Sequence, residues 1–174
     1  QFDLPTGLPP ILADRNQVQQ VLLNLVTNAG EALLHDSGTV KVAIGVATVA
    51  EGDEAANVTG VEPTAGDYVY LRVTDDGSGM DENTLAHACE PFYSTRFTGR
   101  GLGLPAVLGI TRSHGGGLSL ASRPGTGTTV TVLWPLAAPL PGARPGTSVP
   151  GEPEAPALEV LPEMTAEPAA GGAA

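Results

Sequence analysis

No stretch limits the fold of this chain as tightly as Arg15 to Leu34. Val18, Val21, Leu22, Leu25, Val26, Ala29 and Leu33 fall there at three- and four-residue steps, the repeat of one helix face. Such a helix needs its apolar stripe on a core. Asp14 stands just ahead of it as the N-cap. Beside the stripe lie Gln17, Gln20, Asn24 and Asn28. Asn24 and Asn28 are four residues apart, so both amides project from one face, a turn apart. Asparagine is an indifferent helix former that prefers caps. Two of them on one rim read either as a solvated polar face or as a ligand site. An Asn carbonyl is a hard oxygen ligand suited to Mg2+, whose shell water and substrate phosphates complete.

Around this helix the pattern changes to alternation. Gln1 to Leu4 reads as a short edge strand, and Thr39 to Val49 as a strand rich in β-branched residues. Glu51 to Gly66 is a hairpin-like connection to a second strand, Asp67 to Thr74. That strand runs into Asp75-Asp-Gly-Ser-Gly-Met80. A carboxylate at a strand end, followed by two glycines, lets the backbone turn sharply against a flat ligand. The carboxylate can accept a hydrogen bond from an exocyclic amine, as a pocket selecting adenine would require. The same residues also describe a plain Asp-Gly turn. Asp81 caps a short helix, Glu82 to Ala88. A helix from about Leu104 to His114 ends at Gly115-Gly-Gly117. Leu118 to Ser122 and Thr129 to Trp134 are strands flanking the turn Arg123 to Thr128, with Trp134 a packing residue. His35, His87 and His114 have no acid–base or metal partner in the sequence pattern and read as structural or surface residues.

Between the two later helices lies Glu90-Pro-Phe-Tyr-Ser-Thr-Arg-Phe-Thr-Gly-Arg-Gly-Leu-Gly-Leu104. Glycine-rich backbone entering a helix exposes unpaired N–H groups at the positive end of the helix dipole, which suits a phosphate chain. Pro105 costs nothing in a first helical turn. Arg96 and Arg100 can add charge-assisted bonds. Alone, this is equally a basic surface loop without a ligand.

From Leu136 the chain turns to Pro, Ala, Gly and Glu and stays so to Ala174. That composition cannot bury enough apolar surface to offset chain entropy. Residues 1–135 are therefore expected to form one domain, and 136–174 a disordered tail or linker. The formal charge is −11, of which five tail glutamates against Arg144 carry −4. The remaining −7 argues against nucleic acid or an anionic membrane as partner. No apolar run has membrane-spanning length, and no signal peptide is present. The single Cys89 forms no internal disulfide and reads as a small, partly buried residue. The chain opens on Gln1 rather than Met, and so reads as a piece of something longer.

The order and spacing of these motifs resemble the ATP-binding catalytic domain of two-component sensor histidine kinases, of the GHKL superfamily. Gln20 to Asn28 resembles the N box, and Asp75-Asp-Gly77-Ser-Gly79 the G1 box. Glu90-Pro-Phe92 with Ser94-Thr95-Arg96 resembles the F box, and Gly99 to Leu104 the G2 box. Gly125-Thr-Gly127-Thr128 resembles the final glycine turn. The likeness spans residues 8–135. It implies an α/β (α+β) two-layer sandwich of the Bergerat type, with a mixed, largely antiparallel sheet, helices on one face and a mobile ATP lid.

It also implies ATP and Mg2+. By motif match, Asn28 is the Mg2+ ligand and Asn24 its neighbour near the phosphates. Asp75 takes the adenine amine, with Gly77, Gly79 and Thr128 completing that pocket. Gly101, Leu102, Gly103 and Leu104 present backbone N–H groups, and Thr95, Arg96 and Arg100 belong to the lid. Arg96 stands where many members carry Lys, so it offers a fork rather than a point charge. Ala32 stands where some relatives carry an aromatic over the base. Other superfamily ATPases carry a Glu one turn before the Mg2+ Asn as general base. Here that position is Asn24, and an amide takes no proton.

The resemblance therefore implies a histidine kinase, with Asn24 and Arg96 at the reaction centre. The acceptor histidine would lie on a separate dimerising domain absent from this chain. A response regulator or fused receiver domain would take the phosphoryl group onward, and the lid resembles that of hybrid kinases with a receiver. The alternatives are a non-catalytic nucleotide-binding module and a free-standing ATPase. The expected location is cytoplasmic, without nucleic acid and without direct membrane contact by this segment.

Overall fold

The computed structural model describes residues 1–33, 38–50, 64–94 and 101–137. The amphipathic stretch forms helix α1, Arg15–Ala32. Asp14 Oδ1 accepts from the N–H groups of Asn16 at 2.8 Å and Gln17 at 3.0 Å, satisfying two donors that the first turn leaves open. Val21, Leu25, Ala29 and Ala32 are buried. Leu22 and Val26, expected in the stripe, are 39% and 37% exposed. Each lies about 100° round the helix from its buried neighbour, beyond the line of contact. The helix also stops at Ala32, two residues before the expected Leu34. The Ala32 carbonyl accepts the Ser78 N–H at 2.9 Å, so a loop donor replaces the one a further turn would supply.

Five strands form one sheet: β1 Phe2–Asp3, β2 Val40–Val49, β3 Gly66–Asp75, β4 Gly117–Arg123 and β5 Gly127–Pro135. Their spatial order is β1-β2-β3-β5-β4. The edge strand β1 runs parallel to β2, and every other pairing is antiparallel. Val49 lies opposite Gly66, so β2 and β3 meet across the expected connection; its residues 51–63 lie outside the described residues.

One sheet face carries most of the buried apolar side chains, and a smaller cluster of Val49, Tyr68 and Leu133 lies on the other. Val42, Leu71, Val73, Val130, Val132 and Trp134 meet Val21, Leu25 and Ala29 of α1 in a single core. Val107 of helix α3, Gly103–Ser113, joins it, as does Leu85 of the short helix α2, Glu82–His87. This is the expected two-layer sandwich with a mixed, largely antiparallel sheet. His114 is structural. Its Nε2 accepts the Asp14 N–H at 3.1 Å and its Nδ1 lies 2.9 Å from the Ile110 carbonyl, joining the end of α3 to the start of α1. Beyond β5, Leu136 bridges Ile11. The tail from residue 138 onward lies outside the described residues. No helix among those described is long and apolar enough to cross a membrane.

Candidate functional site

Strand β3 ends on Asp75, whose side chain is buried. Its Oδ1 accepts the Gly77 N–H at 3.0 Å, which holds the loop against the carboxylate. The loop has no room for side chains. A Cβ on Gly77 would lie 2.3 Å from the Ala32 carbonyl oxygen. Gly79 has φ +63°, and a Cβ there would lie 1.8 Å from the Arg123 carbonyl oxygen. The end of α1 and the β4–β5 turn thus press on this loop from two sides. Asp76 ties it to the start of β2 by accepting the Thr39 N–H at 2.7 Å.

Opposite, α1 and α3 pack side by side and bring Asn28 against Gly103. Asn24, one turn earlier, places its Nδ2 3.5 Å from the Gly103 carbonyl, the long limit of a hydrogen bond. Leu102 is the N-cap of α3 and makes no side-chain cap bond. The N-cap side chain therefore leaves the first N–H groups of that helix uncapped, and a helix start left so suits an anion.

Asn28, Asp75, Gly79, Gly101, Leu104 and Thr128 line one cavity of about 380 Å³. That volume lies within the range of small-ligand pockets. Gly77 and Gly103 border it through their contacts with Asp75 and Asn28, and Asn24 stands behind Gly103. Leu102 is 44% exposed and does not line the cavity. Thr95, Arg96 and Arg100, expected at the phosphates, lie outside the described residues, as does His35.

The two ends of the lid stretch meet at a fixed base. Phe92 N–H donates to the Gly101 carbonyl at 2.9 Å. Phe92 holds φ +68°, and a Cβ on Gly101 would lie 2.5 Å from the Tyr93 carbonyl oxygen. Sequence reasoning missed Tyr93, which lines the cavity with Met80 and Thr84. The Tyr93 ring stacks on His87, with centroids 5.4 Å apart and planes at 29°. The Phe-Tyr pair is the available signal, but the sequence does not say which of the two lines the cavity. Phe92 is 79% exposed. Ala32 also lines the cavity, and Tyr93 is the aromatic residue among its lining. Nearby Cys89 is partly buried, which pushes its thiol up to about 11, with the Arg112 charge opposing.

Among the described residues, no three His, Cys, Asp or Glu side chains gather where they could hold a metal. Asn28 offers one amide oxygen. A hard cation held there would take most of its oxygens from a ligand and from water.

The family model described as histidine kinase-, DNA gyrase B- and HSP90-like ATPase matches residues 13–138. The chain is 33% identical over 136 residues to sporulation kinase E of Bacillus subtilis, covering 78% of this chain and 16% of that protein. It is 35% identical over 136 residues to sensor histidine kinase ZraS of Escherichia coli, covering 78% and 25% respectively. It thus spans a quarter or less of the length of these relatives. Among solved structures it is similar to full-length ShkA in complex with AMPPNP, at TM-score 0.57 and 27% identity, covering 80% of this chain and 26% of that one. It is also similar to the nucleotide-free catalytic domain of histidine kinase ThkA, at TM-score 0.58 and 26% identity, covering 78% of both chains.

Proposed function

The chain belongs to the histidine kinase-, DNA gyrase B- and HSP90-like ATPase family, and from that membership we propose that residues 1–135 are the ATP-binding catalytic domain of a sensor histidine kinase. Residues 136–174 are then its tail or linker. The reading is carried by one observation: Asn28 and Asp75, on different elements and 47 positions apart, line the same cavity. A similar structure holds AMPPNP, which supports a nucleotide as ligand.

In this reading Asp75 accepts from the adenine amine. Gly77 and Gly79 keep the loop flat against the base, and Tyr93 supplies an aromatic wall. The uncapped start of α3, from Gly101 to Leu104, meets the phosphates with its N–H groups. Thr95, Arg96 and Arg100 close on them from the lid. The site fits Mg2+ at Asn28, because this residue lines the cavity and its amide carries a hard oxygen donor. Bound there, Mg2+ would neutralise phosphate charge during transfer.

The chain's own contribution is placement and charge stabilisation. The Asn24 amide faces the Gly103 carbonyl and takes no proton, so water is not activated from this position. The nucleophile is an imidazole on a separate acceptor domain, and a response regulator or fused receiver takes the phosphoryl group next. Such a domain works on the cytoplasmic side, where ATP is. The test supplies γ-labelled ATP and Mg2+ to this chain, with and without the acceptor hairpin of the full-length protein. Phosphohistidine should form on the hairpin and none on the chain. Robust label on the chain itself, or an unlabelled hairpin at saturating ATP, would refute the proposal.

A further inference from the structure

Asp75, Thr128 and Ser122 lie in one row across three strands. The register sets Asp75 of β3 opposite Thr128 of β5, and Thr128 opposite Ser122 of β4. Directly opposed residues in antiparallel strands share a face, with Cβ atoms about 5 Å apart. Asp75 and Thr128 line the cavity. Ser122 stands one strand further from Asp75.

The hydrogen bonds of Ser122 fix where its proton goes. Its Oγ accepts the Met80 N–H at 2.8 Å. It lies 3.0 Å from the Gly127 carbonyl and 2.9 Å from Thr128 Oγ1. A carbonyl can only accept, and a serine has a single proton to give. Given to Gly127, that proton leaves Ser122 with lone pairs alone for its other two neighbours. The Thr128 hydroxyl must then donate to Ser122, which leaves Thr128 only lone pairs for the cavity. The Asp75 carboxylate beside it is likewise an acceptor. This end of the cavity then asks its ligand for N–H groups.

We propose that Ser122 is a positioning residue that fixes Thr128 as an acceptor and so sets a preference for a 6-aminopurine over a 6-oxopurine. The proposal rests on the nucleotide reading of the cavity. An adenine amine has two hydrogens, one for Asp75 and one for Thr128, directly or through a water. A 6-oxopurine brings an oxygen to a wall of lone pairs. Without Ser122, the Thr128 hydroxyl is free to turn its proton toward that oxygen.

The experiment is equilibrium binding of ATP and of inosine triphosphate to the 174-residue chain. The unsubstituted chain should prefer ATP. Ser122→Ala should shrink that preference roughly fivefold to tenfold, about the worth of one hydrogen bond. Ser122→Thr, which keeps the hydroxyl, should restore it. In a Thr128→Val background, Ser122→Ala should no longer change the ratio. A loss of packing alone would act alike in both backgrounds, and the double-mutant comparison separates the two. An unchanged ratio in Ser122→Ala, or an equal change in both backgrounds, overturns the role of Ser122 while leaving the nucleotide site standing. An unsubstituted chain that binds neither nucleotide overturns both.

Discussion

A methyl group on Gly103 would lie 3.1 Å from both the oxygen and the nitrogen of the Asn28 amide. The first residue of α3 and the proposed metal ligand of α1 are therefore fitted to one another. The absence of a side chain at 103 is what leaves the Asn28 amide its position.

From that contact, Gly103→Ala should act on the ligand more than on the fold. The amide can yield a few tenths of an ångström, so a urea midpoint should move little. The Asn28 amide would be displaced from its place at the cavity. ATP affinity measured with Mg2+ should fall several-fold, whereas affinity measured in excess chelator should hardly change. Equal loss in both conditions would mean that Asn28 does not serve the metal.

Asp75→Asn tests the other wall. Gly77 N–H needs the oxygen of whatever side chain stands at 75, because the Asp75–Gly77 bond is buried. In the variant that demand turns the amide NH2 toward the cavity, where the adenine amine also donates. Two donors would then face each other. ATP binding should weaken about tenfold to a hundredfold, the worth of a hydrogen bond to a charged group. Calorimetric titration reads this directly. Retention of full affinity would place the base elsewhere.

Much of this arrangement is legible in the residues because local chemistry dictates it. Asp14 and Asp81 read as caps and are caps, since few residues can satisfy open N–H groups. The glycines at 77 and 79 read as a close approach and are one. Other features are tertiary. Leu22 and Val26 carry the helical repeat yet lie exposed, because the width of the buried stripe is set by the surface beneath it. The end of α1 at Ala32 depends on Ser78, 46 positions away, capturing a carbonyl. Ser122 looks like any strand residue until the register brings it beside Thr128. Tyr93 lines the cavity while its neighbour Phe92, at φ +68°, lies exposed, a distinction two adjacent aromatics in a sequence do not carry.

Thr111 yields a prediction about stability alone. It is fully buried in α3, and among the described residues its Oγ1 has no hydrogen-bond partner. Thr111→Val keeps the shape and removes a polar atom whose burial is uncompensated. Stability should rise by about 1 kcal/mol, read as a higher urea midpoint at an unchanged slope. A loss of that size instead would mean that a water or a shared helix carbonyl satisfies the hydroxyl.

Cys89 links the same core to pH. Burial favours the neutral thiol and lifts it from 9.0 to about 11, while the Arg112 charge works against the rise. The folded chain therefore holds this proton where the unfolded chain has lost it. The sign follows: the contribution is complete below pH 9 and is lost as pH climbs to about 11. The measurement compares the unsubstituted chain with Cys89→Ala, so that the contributions of every other group cancel. Between pH 8 and pH 10.5 the unsubstituted chain should lose more stability than the variant. At pH 8 the folded thiol should alkylate slowly, and in denaturant at the ordinary rate, because the thiolate is the nucleophile. Equal pH slopes in the two chains, or rapid alkylation of the folded one, would show the thiol to be solvated.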